Sequence, residues 1–80
     1  MKRKNIIGAR VLKARKMAKP PITQEDLAAR LQLRGMKIDQ SMISRIEKGE
    51  RLVTDYELRA LAKALKVDAG WLIEGKSDKP

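Results

Sequence analysis

The sequence predicts an all-α domain of five short helices, and three observations carry that reading. Apolar residues recur at spacings of three and four and never alternate for long, so helices are favoured and no strand signal competes. Four times, an apolar residue followed by a capping residue is answered by a second apolar residue five positions after the first. Gly35, Gly49 and Gly75 stand where a left-handed residue closes a helix, and Pro20-Pro21 stops another.

The first helix is expected at roughly 6 to 18, where Ile7, Val11, Ala14 and Ala18 form one stripe and Arg10, Lys13 and Lys16 lie off it. The other four open on a hydrophobic staple around an N-cap: Ile22-Thr23 with Leu27, Ile38-Asp39 with Ile43, Val53-Thr54 with Leu58, and Val67-Asp68 with Leu72. Thr54 and Glu57 have capping-box spacing, and Thr23 with Asp26 is a shorter-armed version. These signals place helices at roughly 24 to 34, 40 to 48, 55 to 65 and 69 to 73. The expected core is Ile7, Val11, Ala14, Leu27, Ala28, Leu31, Ile43, Ile46, Leu58, Leu61, Ala62, Leu65, Trp71 and Leu72. Trp71, between Val67 and Leu72, is read as core rather than as an exposed anchor.

Composition narrows the chemistry. Eighty residues make one small domain, which buries only about 60 to 65% of the surface its unfolded chain exposes, so a large active-site cavity is not expected. The absence of Cys and His removes disulfides, the usual nitrogen and sulfur metal ligands and the commonest general base. Ser41, Ser44 and Ser77 therefore have no hydrolytic partner, no Gly-rich phosphate loop is present, and the acidic residues mostly stand at helix starts. No enzyme activity, cofactor, metal or small-molecule substrate is expected. No apolar run approaches the roughly 18 residues of a spanning helix, and no signal-peptide core follows the N-terminus. A soluble cytoplasmic chain without a membrane partner is the expectation.

The net charge is +9, and it is unevenly spread: residues 1 to 20 hold eight basic and no acidic side chains, 21 to 50 five of each, and 51 to 80 six against five. A basic block of that kind suits a polyanionic partner, and otherwise serves as a solvated arm. The third helix sharpens the choice. It keeps Ile43 and Ile46 for the core and leaves Gln40, Ser41, Met42, Ser44, Arg45 and Lys48 on a polar, cationic face. The B-DNA major groove admits a helix and presents acceptors to Arg and a donor-acceptor pair to Gln. An ordinary solvated face would carry more Glu and more ion pairs at i, i+4. Single-stranded RNA fits less well, because stacking needs aromatic side chains and only Tyr56 and Trp71 are present.

Several segments in order, Thr23-Gln24-Glu25-Asp26-Leu27-Ala28, Ser41-Met42-Ile43-Ser44-Arg45-Ile46-Glu47-Lys48-Gly49, Leu61-Ala62-Lys63-Ala64-Leu65 and Trp71-Leu72-Ile73-Glu74-Gly75, resemble the Cro/C1-type helix-turn-helix domain of phage repressors, also called XRE-type. The resemblance runs from about Ile7 to Gly75 and implies a compact five-helix, lambda-repressor-like DNA-binding domain over 6-75, between a flexible basic arm at 1-5 and a disordered tail at 76-80. It implies that Gln24 holds a DNA phosphate, as the anion-attracting start of a helix would also favour. Gln40, Ser41, Ser44 and Arg45 match positions that reach base edges, and Lys48 and Arg51, around Gly49, match a loop that touches phosphate. Gln pairs with adenine and Arg with guanine, each good pair contributing about 1 to 3 kcal/mol of discrimination. Arg15 and Glu47 match a structural ion pair between helices one and three. The implied function is that of a sequence-specific regulator of double-stranded DNA, a repressor acting by operator occupancy, nucleoid-associated and a homodimer on half-sites roughly 34 Å apart. Lys2, Arg3 and Lys4 would run along the backbone or in the minor groove, or else stay free.

The turn departs from the family pattern. Family members keep about six residues between the last Leu of helix two and the first buried Ile of helix three. Here eleven separate Leu31 from Ile43. The economical account extends helix two through Leu33 and Arg34 to a cap at Gly35 and adds residues to the turn, which puts the approach of Gln24 to Gln40 in question. Leu33 and Met36 either fill the gap beside the longer helix, the preferred account, or form an interaction surface. The second belongs with an alternative function, a protein-interaction module of antitoxin or adaptor type on the same fold.

Overall fold

A computed structural model describes residues 2–75. The helices are α1 (Gly8–Met17), α2 (Gln24–Leu33), α3 (Gln40–Glu47), α4 (Asp55–Leu65) and α5 (Ala69–Glu74). The expected disordered tail, 76–80, lies outside the described residues. Among those residues no helix is long and apolar enough to cross a membrane, and no group of three metal-ligating side chains gathers.

Each of the last four helices starts on the residue that the staples single out. Thr23 Oγ1 accepts from Asp26 N at 3.0 Å, Asp39 Oδ1 from Met42 N at 2.9 Å, Thr54 Oγ1 from Glu57 N at 3.1 Å and Asp68 Oδ2 from Trp71 N at 3.0 Å. Both capping boxes close, with Asp26 and Glu57 reaching back to the Thr23 and Thr54 amides. These bonds satisfy amides that a helix start otherwise leaves to water.

The first helix begins two residues later than expected, with Ile7 as its N-cap, and Asn5 bonds the amides at its start. Asn5 Oδ1 accepts from Ile7 N at 3.1 Å and Gly8 N at 2.8 Å, so Ile6 falls before the helix. The same side chain also joins the end of the N-terminal arm to α3 and the loop after it. Its Nδ2 donates to Ile46 O at 3.1 Å and Arg51 O at 2.8 Å, and Lys4 N donates to Gly49 O at 2.7 Å. Residues 4 and 5 are thus tied to the end of α3 and the loop after it by backbone acceptors some forty positions away.

α3 packs on α1 and α2, and α4 on α1, α2 and α5. At their centre Val11, Leu27, Leu31, Ile43, Ile46, Leu61 and Leu72 are wholly removed from water, and Trp71 joins them. Ile22 and Ile38, which the sequence marks only as staples, are core as well. Leu58 is the exception to the expected core. It is half-buried and lines an open groove with Ile6, Ile7, Val53 and Ile73, where among the described residues no element covers the start of α4.

Candidate nucleic-acid interface

α3 presents its polar face outward because its other face is fixed from three sides. Ile43 and Ile46 enter the core, giving a strongly two-sided helix. Gly8 of α1 lies against the end of α3 so closely that a Cβ there would overlap the Ile46 carbonyl oxygen and stand 2.8 Å from that of Glu47. Only a residue without a side chain permits this backbone contact.

The third fixture is an ion pair. Arg15 Nε donates to Glu47 Oε2 at 2.6 Å and Nη2 to Oε1 at 3.0 Å, with side chains only 10% and 6% exposed. Arg15 Nη1 donates to Ile22 O at 3.0 Å, so the guanidinium also holds the chain entering α2. Glu47 Oε1 accepts a further bond from Gln24 Nε2 at 2.9 Å, and Gln24 Oε1 accepts from Gln40 Nε2 at 3.0 Å. A continuous chain of polar groups therefore runs from buried Arg15 to the exposed start of α3.

The longer connection leaves that start where Gln24 can reach it. α2 ends at Leu33, with Gly35 at φ 87°, Gly35 N bonded to Gln32 O and Met36 N to Leu31 O. This pairing closes a helix through a left-handed residue. Gln32 Nε2 then donates to Ile38 O at 2.8 Å and holds the returning strand of chain. Ile38 is buried and Met36 packs against the core, so the added residues are anchored at two points. Leu33 departs from the preferred account: it does not fill the gap but stands 90% exposed.

Of the base-reading candidates, Gln40, Ser41 and Arg45 are exposed and Ser44 is half-buried. Among the described residues no side-chain hydrogen bond or ion pair engages Ser41, Ser44, Arg45 or Lys48. Lys48 forms the C-cap of α3, and Lys2 and Arg3 line a small cleft with it and with Gly49 and Glu50. Cations collect there beside the negative end of the helix. Arg51 is different. Both its terminal nitrogens bond Glu57, at 3.2 and 3.3 Å, bracing the α3–α4 loop against the first turn of α4. The charge is met inside the protein.

Three positions that shape this face escaped the sequence reading. Asn5 and Gly8 hold the end of α3 as described, and a glycine inside a helical pattern was the available signal. Arg10, off the apolar stripe of α1, donates to Leu72 O at 3.1 Å and Ile73 O at 3.2 Å, capping the end of α5. Nothing local announces a partner sixty residues away.

The helix-turn-helix family model matches residues 12–72. Among solved structures, the P22 c2 repressor protein, in complex with synthetic operator 9T in the presence of Tl+, aligns with a TM-score of 0.72 and 28% identity, over 90% of this chain and 98% of that one. No curated protein matches the chain. With the family model spanning most of the sequence and a repressor structure aligning over 90% of it, this chain belongs to the XRE-type helix-turn-helix family of Cro and C1 phage-repressor-like proteins.

Proposed function

We propose that this chain is a DNA-binding transcription regulator that reads a specific double-stranded sequence with α3 in the major groove and represses by occupying its operator. The observation that carries the reading is the braced amide at the start of α3. Gln40 gives one N–H to Gln24 and keeps the other N–H and its carbonyl oxygen. Those two groups are what a bidentate pair with adenine N7 and N6 requires. Because Gln24 already holds the amide, less side-chain freedom is lost on binding.

Arg45, exposed and unpaired among the described residues, is assigned to guanine, and Ser41 and Ser44 to shorter contacts at neighbouring base edges. Lys48, with Lys2 and Arg3 beside it, is assigned to phosphates at one end of the helix. At the other end Gln24 offers its second amide proton and the unpaired amides that open α2. The P22 relative is a repressor in complex with an operator, which supports the same use of the shared fold. Two copies on a near-palindrome would place half-sites roughly 34 Å apart, and a protein seated there excludes others from the same groove.

Selection of tight binders from a random duplex pool at physiological salt tests the reading. A two-fold symmetric motif whose preference relaxes at one base step in Gln40→Ala and at another in Arg45→Ala is the expected result. Enrichment of no sequence over background overturns it.

A further inference from the structure

Leu33 is the most exposed large apolar side chain among the described residues, and its surroundings are cationic. It lines a groove of about 330 Å³ with Arg30, Arg34, Lys63, Ala64 and Lys66, between the C-terminal ends of α2 and α4. An adjoining groove shares Arg30 and Lys66 and adds Lys19. None of the residues lining either groove is acidic. Arg30 is held in place by a 3.0 Å bond from Nη1 to Ala64 O, which leaves the rest of its fork free to bind. Among the described residues Arg34, Lys63 and Lys66 enter no side-chain hydrogen bond or ion pair.

Helix C-termini favour cations, which accounts for basic side chains at this end of α2 and α4. It does not account for an apolar side chain standing in water among them. Leu33 belongs to the lengthened end of α2, and its companion Met36 packs inward while Leu33 does not. The groove also lies away from the DNA-reading face. Nine residue steps of helix lead from Gln24 to Leu33, about 14 Å along the axis, so both ends of α2 can be occupied together.

We propose that this groove docks an acidic segment of a partner protein, with an apolar side chain of that segment against Leu33 and its carboxylates on Arg30, Arg34, Lys63 and Lys66. A nucleic-acid backbone would match the cations but offers hydrated phosphates to Leu33. A lipid surface would match both charges and apolarity, yet a single leucine supplies too little insertion for stable anchoring. An acidic peptide presents both chemistries on a narrow front.

The test uses a twelve-residue peptide of Glu-Glu-Leu repeats, with an all-glutamate peptide of equal length as control, titrated into the full chain and followed by amide chemical shifts. The expected shifts fall at residues 30–34 and 63–66, with α3 unmoved. The leucine-containing peptide is expected to bind about tenfold tighter than the control, an advantage that Leu33→Ser abolishes, since burying one leucine is worth about that much. Arg34→Ala with Lys63→Ala should weaken both peptides. All three positions are exposed, and the variants should bind duplex DNA as the parent chain does, which separates this proposal from the DNA reading. Equal affinity for the two peptides, shifts confined to α3, or an unchanged Leu33→Ser variant overturns it. Leu33-dependent sedimentation with vesicles of phosphatidylcholine and phosphatidylglycerol, without a preference between peptides, also overturns it, in favour of lipid.

Discussion

Gln40 Nε2 donates to Gln24 Oε1 at 3.0 Å, across a connection about five residues longer than the family's pattern. The bond matters because Gln24 is itself held by Glu47, so the first side chain of α3 inherits order from the buried ion pair. Gln24→Ala removes the brace while leaving Arg15 and Glu47 paired through two bonds. We expect affinity for the selected operator to fall about tenfold, with stability changed by no more than about 1 kcal/mol. Fluorescence anisotropy and a thermal melt on the same variant check both halves. A large loss of melting temperature with affinity retained would show Gln24 to be structural only.

Glu47→Ala tests the other end of that chain. It leaves Arg15 charged and 8% exposed, with only Ile22 O as a partner. Removing one member of a buried pair costs about 3 to 5 kcal/mol. For a domain of this size that lowers Tm by at least about 12 °C. The double substitution Arg15→Met with Glu47→Leu should recover much of the loss, because an apolar pair leaves no charge stranded. If Glu47→Ala melts like the parent, the pair is not holding α1 to α3.

Much of this fold could be read from local spacing, and the limits of that reading are physical. N-caps act over three residues and staples over five, so Thr23, Asp39, Thr54 and Asp68 announce themselves, and four helix starts follow. Polarity on α3 was likewise visible, since Ile43 and Ile46 leave only one face for solvent. What local spacing lacks is the choice of distant partners. Arg51 and Lys48 look alike as loop cations until the fold turns Glu57 toward one of them. Leu33 and Met36 are equally apolar, and only the path after Gly35 sends one inward and the other out.

Gly8 predicts a stability loss that no surface property suggests. The added methyl of Gly8→Ala would overlap the Ile46 carbonyl, and backbone cannot move aside as a flexible side chain does. Overpacking of this kind costs about 1 to 3 kcal/mol, more than the helix-propensity gain of roughly 1 kcal/mol from replacing glycine. Chemical denaturation should therefore show a net loss. A stabilised Gly8→Ala variant would mean that α1 and α3 do not meet there.

The end of α4 predicts the opposite sign. Lys66 closes that helix at φ 58° without being glycine, with Lys66 N bonded to Lys63 O and Val67 N to Ala62 O. The left-handed conformation costs a side-chain-bearing residue roughly 1 to 2 kcal/mol. Part of that returns as lost chain freedom when glycine is introduced. Lys66→Gly should raise stability by about 0.5 to 1 kcal/mol, seen as a higher Tm with DNA affinity preserved. A lower Tm would indicate that the Lys66 stem packs on the groove more favourably than its backbone is strained.

Lys48 and Arg51 differ in the partners the fold gives them, so the salt dependence of DNA binding should respond differently to each. Each phosphate contact releases counterions and contributes about 0.9 to the slope of log affinity against log salt. Lys48 has no partner among the described residues, whereas Arg51 makes three bonds to Glu57. Lys48→Ala should therefore lower the slope by about 0.9 and weaken binding similarly across operator variants. Arg51→Ala should leave the slope within error and act through the loop, weakening specific more than non-specific binding. Titrations of both variants from low to high salt, on the selected operator and on a scrambled duplex, give the comparison. Equal slope losses would mean that Arg51 releases Glu57 on binding and that the brace belongs to the free protein alone.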